Sequence, residues 1–420
     1  MNSTKGPRRR LLLITSGCND VGVGEVWSSF QWVTRLAELH DVTVLTCRGR
    51  HKESPRLRLD NARVIEWDDI PVVGTFERFN AMVNPGYVIF YTRARSWIKK
   101  LLRSGEKFDL AHQITPLALR YPSPAASLGI PLVIGPLGGS LETPRTFRGE
   151  FGGTAWYTKL RKIDRWRLRH DPWLRRSFAS ADLLIGVAPY VKDLLDDLVS
   201  HQFELMSETG VVELPPMQTR PPLGGRPLQL LYVGRMVRSK GVRDAIRALA
   251  QLRDIGPVRF DVVGWGEDLE PCRREAQELG LGDKVVFVGR LPRDEVNPLY
   301  ASADVFVFPS FREPSGNVVL EAMSYGLPLV VADRGGPGFM VDDTCGFRLP
   351  VSNPEQFACQ IAAAIRKFAQ APDLIARMGA AAREKVRRQF LWDSKVGQMT
   401  EMYESVLAAA GCRGMVSTEA

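Results

Sequence analysis

Between Gln229 and Asp333 the sequence delivers five short apolar runs rich in β-branched residues: QLLYVGR, RFDVVG, KVVFVGR, DVFVFPS and LPLVVAD. Helical patterns and Gly-rich turns lie between them. That alternation is the signature of βαβ units, which build parallel sheets with helices packed on both faces. The first half repeats it with RRLLLIT, DVTVLT, PLVIGP and DLLIGVA. Between the halves stands ELPPMQTRPPLGGRP, a linker by composition. The sequence therefore predicts an α/β chain of two doubly wound, Rossmann-like domains, over residues 1–212 and 228–390, joined by a Pro/Gly linker at 213–227. A last helical segment, 391–410, is expected to pack back on the N-terminal domain. In such folds ligands bind at the carboxyl ends of the strands, so a ligand is expected in the cleft between the domains.

The 420 residues are 45% hydrophobic and 25% charged, the profile of an ordinary soluble globular protein. Six scattered cysteines form no C-x-x-C pair, and there is no H-E-x-x-H among only five histidines. Neither a disulfide framework nor a metal centre is expected, and the thiols suit a reducing, cytoplasmic compartment. Lys5 and Arg8–Arg10 precede LLLI like the start of a signal peptide, but the apolar run is too short and reads as a first strand. Nothing approaches the ~20 apolar residues that span a bilayer. Charge is lopsided, with +10 on residues 1–200 and −1 on residues 201–420, so an anionic surface would meet the first half.

Two motifs in the second half carry chemistry. LQLLYVGRMVRSKG is a strand ending at Gly234, a loop holding Arg235 and Lys240, and a helix from about Val242. Two cations beside a helix N-terminus suit an anion, most naturally a diphosphate; taken alone they equally suit solvated loop charges. A P-loop is excluded because the chain has no G-K-[ST]. In FPSFREPSGNVVLEAMSYGLPLVVAD, Glu313 precedes Pro314, Gly316 and Asn317 open a helix, and Glu321 lies about a turn in. Eight residues at about 100° each leave the two glutamates about 80° apart, so a shared helical face does not explain the pair. A loop carboxylate and a helix carboxylate flanking free N–H groups offers acceptors for sugar hydroxyls beside donors for phosphate.

GRMVRSKG followed some seventy residues later by EPSGNVVLEAMSYGLPLVV resembles the donor-site signature of family 4 glycosyltransferases, retaining enzymes of the GT-B fold. GVGEVWSSFQW, DLAHQITP, GIPLVIGPLGG, ASADLLIGVAPYVKDLL, VVGWGEDL and FLWDSKVGQMTEMYESVL extend the likeness over nearly the whole chain, closest to bacterial transferases of surface polysaccharides and exopolysaccharides. The resemblance implies that Arg235 and Lys240, with Gly234 behind them, hold a nucleotide diphosphate. It implies that Glu313 and the Gly316 and Asn317 amides hold the donor sugar, that Glu321 binds the ribose, and that His112 sits over the sugar. Gly22 and Gly24 match the family's Gly-rich first loop, where phosphate and acceptor approach. The implied reaction moves a hexose from a UDP- or GDP-sugar to a saccharide or polyprenyl-diphosphate-linked acceptor. No D-x-D triplet is present to carry a metal, so cations and helix N-termini are expected to stabilise the leaving group without a cofactor. The resemblance favours front-face attack over double displacement.

Residues 156–176, WYTKLRKIDRWRLRHDPWLRR, hold eight Lys or Arg against two Asp. Trp156, Leu160, Ile163, Trp166, His170 and Trp173 recur at helical spacing, with Arg161 and Lys162 among the cations; Trp97 stands in a second basic run from Arg93. Such segments suit either an anionic membrane, with the protein peripheral on its inner face, or domain core beneath a solvated charged face. A sugar phosphorylase or a sugar-nucleotide epimerase could use the same architecture. A nucleic-acid-binding role, suggested by the basic composition, lacks a groove-reading helix or an aromatic RNA platform, so no nucleic-acid partner is expected.

Overall fold

The computed structural model describes residues 7–20, 24–48, 54, 59–68, 86–151, 161–195, 198–199, 202–217, 221–252 and 254–416. The chain divides into two compact units. The first comprises Met1–Ser140, Ala155–Glu208 and Trp392–Ala420; the second comprises Leu141–Thr154 and Thr209–Leu391. Each is built on one parallel sheet.

In the first unit, β1 (Arg10–Ile14), β2 (Asp41–Arg48), β3 (Ala62–Asp68), β4 (Leu110–Gln113), β5 (Leu132–Leu137), β6 (Leu183–Gly186) and β7 (Gln202–Leu205) lie in the order β3-β2-β1-β4-β5-β6-β7. The chain walks outward from β1 to β3, then returns to set β4 against the other side of β1. The point of reversal is therefore the β1/β4 pair, where Leu13 lies opposite His112. The helix Trp392–Val416 belongs to this unit and contributes to its core. The Trp392 ring stands edge-on to Trp32, with centroids 5.1 Å apart. The buried Lys395 lays its ammonium over Trp32 and donates to the Ser207 carbonyl at 2.6 Å, which answers the charge that burial would otherwise strand.

His112 is fully buried here. Its Nε2 lies 2.7 Å from the Gly135 carbonyl, an acceptor only, so Nε2 carries the proton and Nδ1 accepts from the Tyr403 hydroxyl at 2.6 Å. Both ring nitrogens are thus committed inside the unit, leaving none to meet a sugar. The role over the donor sugar implied by the resemblance is corrected: His112 ties β4 to β5 and to the C-terminal helix.

In the second unit, β8 (Leu228–Val233), β9 (Val258–Val263), β10 (Val285–Gly289), β11 (Val305–Phe308), β12 (Leu329–Ala332) and β13 (Gly346–Leu349) take the order β10-β9-β8-β11-β12-β13. The reversal falls between β8 and β11. The central strands are covered on both sides, which is why they read as unbroken apolar runs rather than alternating ones. Leu141–Thr154, expected in the first domain, belongs here because Phe147 is wholly buried against Phe311 and Phe357, 4.5 and 6.1 Å between centroids. The Pro/Gly segment is fastened as well: Arg226 grips Asp304 with two bonds of 2.7 Å, and Arg383 donates to the Pro215 carbonyl. Both ends of the expected linker therefore fold with the second unit.

Burial lowers the His112 pKa to about 4, against 6.5 in an unfolded chain, with the Gly135 bond opposing the shift. The native ring is neutral, so its contribution is complete above pH 6.5 and is lost as pH falls towards 4, worth up to about 3 kcal/mol. Denaturant titrations at pH 6.5 and 4.0 should show a larger loss of unfolding free energy in the wild type than in His112→Gln.

Candidate active site

The loop leaving β8 runs through Gly234, Arg235 and a short 3₁₀ turn, Arg238–Lys240, to the helix Val242–Ala250. Gly241 closes the turn with φ +77°, and a Cβ there would lie 2.1 Å from the Pro309 carbonyl oxygen. Only glycine permits that approach. It seats the first loop on the one leaving β11, where Phe311 N donates to the Ser239 carbonyl at 3.2 Å and the buried Ser310 hydroxyl donates to the same oxygen. The two loops at the reversal point of the sheet are thereby locked together. Gly234 sits just before this contact, donating its N–H to Val263 at 3.0 Å.

The lock brings Lys240 onto Glu313. Lys240 Nζ donates to Glu313 Oε2, both side chains are largely shielded, and the Phe308 ring lies 5.5 Å from the ammonium. On its other side the Glu313 turn is walled by glycine again. Gly335 and Gly336 press so close that a Cβ on either would sit about 2 Å from the Glu313 or Ser315 carbonyl, and Gly336 N donates to Glu313 O at 3.0 Å. Gly316, at φ +87°, then turns the chain into the helix Asn317–Ser324. The N–H groups of Gly316 and Asn317, outside the helical bonding pattern, meet no acceptor among the described residues. Donors and a positive helix end thus flank the Lys240–Glu313 pair.

Glu321, one turn into that helix, accepts from the Tyr300 hydroxyl at 3.1 Å and has Arg293 at 3.4 Å. Burial raises its pKa, opposed by Arg293 and the Tyr300 bond. Tyr300 is itself stacked on Tyr325, so the carboxylate is held by a rigid aromatic wall. Arg235 is exposed and its side chain makes no hydrogen bond among the described residues.

Sequence reasoning missed the third cation of the loop. Arg238 is buried, donating to Asp244 at 2.7 and 2.9 Å and to Glu150 at 2.7 Å, with its guanidinium over Phe147 and Phe311. An arginine between Val and Ser in a loop reads as solvated, and Glu150 lies 88 residues away. The signal that could have found it is Asp244, an acid in the first turn of a helix whose same face carries Ala248 one turn on.

In the first unit, Gly24 precedes the helix Glu25–Leu39 at φ +64°, and Glu25 accepts from Leu117 N at 3.3 Å. Gly22 lies outside the described residues, as does Trp156; the helix Arg161–His170 starts at Arg161 and Lys162, whose side chains are likewise outside them. Trp97 is half-buried beneath the Arg63 guanidinium, 5.5 Å from its ring. Trp166 and His170, on the stripe that suits either a membrane surface or domain core, are exposed; Asp164 and Leu168 turn inward, and Arg120 meets Asp164 at 2.7 Å.

Comparison with known proteins agrees with this architecture. Residues 27–202 match the model of Glycosyltransferase Family 4, and residues 218–385 match that of Glycosyl transferases group 1. The glycogen synthase of Mycobacterium tuberculosis is 34% identical over 189 residues, 45% of each chain. The 2-deoxystreptamine glucosyltransferase of Streptomyces kanamyceticus is 30% identical over 252 residues, 58% of this chain and 63% of the relative. The match to these curated relatives therefore spans about half to under two thirds of their length. A crystal structure of Anabaena HepE in complex with UDP superposes with a TM-score of 0.62 at 18% identity, covering 94% of this chain and 100% of that one. Two all-parallel doubly wound units, matched in turn by these two family models, make this chain a member of the family 4 glycosyltransferases with the GT-B fold.

Proposed function

We propose that the chain transfers a hexose from a UDP- or GDP-sugar to a saccharide or polyprenyl-diphosphate-linked saccharide, retaining the anomeric configuration, within polysaccharide biosynthesis. The observation that carries this reading is the pairing of Lys240 with Glu313 at the β8/β11 reversal, beside the open N–H groups of Gly316 and Asn317. The UDP bound by Anabaena HepE and the glucosyl transfer named for the Streptomyces relative support a nucleotide-sugar donor.

Breaking the bond between the anomeric carbon and the diphosphate oxygen loads negative charge on the leaving group. Lys240 has three N–H donors, so it can keep Glu313 and still reach a phosphate oxygen. Arg235 adds an exposed cation, and the helix Asn317–Ser324 adds its positive end. Glu313, anchored through both its side chain and its carbonyl, orients the sugar hydroxyls. The acceptor oxygen bonds to the anomeric carbon on the face the diphosphate leaves, and its proton passes to the departing phosphate oxygen. Glu321, steadied by Tyr300 and Arg293, presents an acceptor for a ribose hydroxyl. Charge compensation by side chains and amides serves here in place of a metal.

Screening UDP- and GDP-hexoses by thermal shift should find one donor that raises Tm in the wild type and has no effect on Lys240→Ala. Lys240→Ala and Glu313→Gln should each lower transfer by about 100-fold or more with folding intact, and full activity in Lys240→Ala removes the diphosphate site. Product formation should be unchanged by EDTA; strict dependence on Mg²⁺ refutes the metal-free step. Gly241→Ala should cost about 2 kcal/mol or more in a denaturant titration, since the residue would meet both a left-handed backbone and the Pro309 carbonyl.

A further inference from the structure

Three helices of the first unit present an outward surface that the sugar-transfer reading does not use. On the helix Arg161–His170, Asp164 and Leu168 point inward, which leaves Arg165, Trp166, Arg169 and His170 facing out. On Pro172–Ala179, Leu174, Ser177 and Phe178 are buried and Trp173 and Arg176 are exposed. On Tyr87–Arg103, Val88, Arg93, Lys99, Lys100 and Arg103 are exposed, and the helix contains no acidic residue at all. These elements are joined: Trp173 Nε1 donates to the Tyr91 hydroxyl at 2.8 Å, with the two rings edge-to-face at 4.7 Å.

Exposed apolar side chains grouped among polar ones mark an interaction surface, whereas single ones need no explanation. Trp166 is 59% exposed, Val88 57% and Trp173 47%, three of the six large apolar side chains most open to solvent among the described residues. The acids of these helices and of the cap between them are committed elsewhere: Asp164 is buried on Arg120, and Asp171 caps Pro172–Ala179 while pairing with Arg167. What remains outward is indole and cation. Indole rings settle at the boundary between headgroups and acyl chains, and Lys and Arg are drawn to anionic headgroups.

We infer that this face of the first unit docks on an anionic lipid bilayer, with Trp166 and Trp173 entering the interface and Arg93, Arg169 and their neighbours meeting lipid phosphates. A held indole loses little entropy on insertion, which is what the Tyr91 contact provides for Trp173. No helix among the described residues is long and apolar enough to cross a membrane, and attachment by a surface of this kind is reversible. The inference stands apart from the sugar-transfer reading, and its test requires no catalysis.

The full chain should co-sediment with phosphatidylglycerol/phosphatidylcholine vesicles at 50 mM salt, not with pure phosphatidylcholine, and should release at about 0.5 M salt, where screening is short-ranged. Arg93→Glu/Arg169→Glu should weaken binding by at least about tenfold, each cation near a charged bilayer being worth about fivefold. Trp166→Ala should weaken it several-fold, whereas Trp265→Ala, an equally exposed tryptophan of the second unit, should leave it unchanged. Thermal unfolding of each variant confirms that the fold persists. Equal binding to neutral and anionic vesicles, equal loss in the two tryptophan variants, or binding to random duplex DNA that matches the vesicles and falls with the same arginines would overturn the assignment.

Discussion

The carboxyl end of the second sheet depends on how closely backbone can approach backbone. The turn carrying Glu313 is caught between Gly241 on one side, against Pro309, and Gly335 and Gly336 on the other, against Glu313 and Ser315. At each position a methyl group would land inside another residue's carbonyl. Closely packed main chain has few ways to move, so the carboxylate it carries is fixed before any ligand arrives. That fixation is what an electrostatic catalyst needs, since charges aimed in advance lose nothing to rearrangement at the moment of reaction.

The three cations of the β8 loop divide the work. Arg238 turns inward, is matched by Asp244 and Glu150, and holds the loop from behind with two phenyl rings. Lys240 reaches forward to Glu313, and Arg235 stays in solvent. A buried, hydrogen-bonded arginine makes a stiff mount because breaking any one partner would strand charge away from water. The forward lysine can therefore be sparsely tethered without wandering.

The fold was legible wherever both sheet faces are covered, because burial on two sides demands uninterrupted β-branched runs; β8, β9, β11 and β12 announce themselves in this way. The strands β3 and β7 stand at sheet edges, and β4 holds His and Gln in only four residues, so none was singled out as a strand. The Lys240–Glu313 association was legible as two motifs but not as a contact, which needed the β8/β11 neighbourhood. The surroundings of His112 and the outward turn of Trp166 were not legible for one physical reason: each is set by a distant partner. Tyr403 and Gly135 consume the imidazole, and Arg120 draws Asp164 inward, turning the tryptophan out. Helical periodicity reports which residues share a face, never which face a faraway arginine will claim.

The C-terminal helix also fixes an order of events on the ribosome. Trp392, Lys395 and Tyr403 belong to the interior of the unit that holds β1, yet they are synthesised only after the whole of the second unit. The second unit has its whole complement once Leu391 has emerged. Domains fold as units while the chain grows, so here the unit begun first is completed after the second, and its sheet must wait, with the Trp32 side of its core uncovered, until the whole second unit has been made.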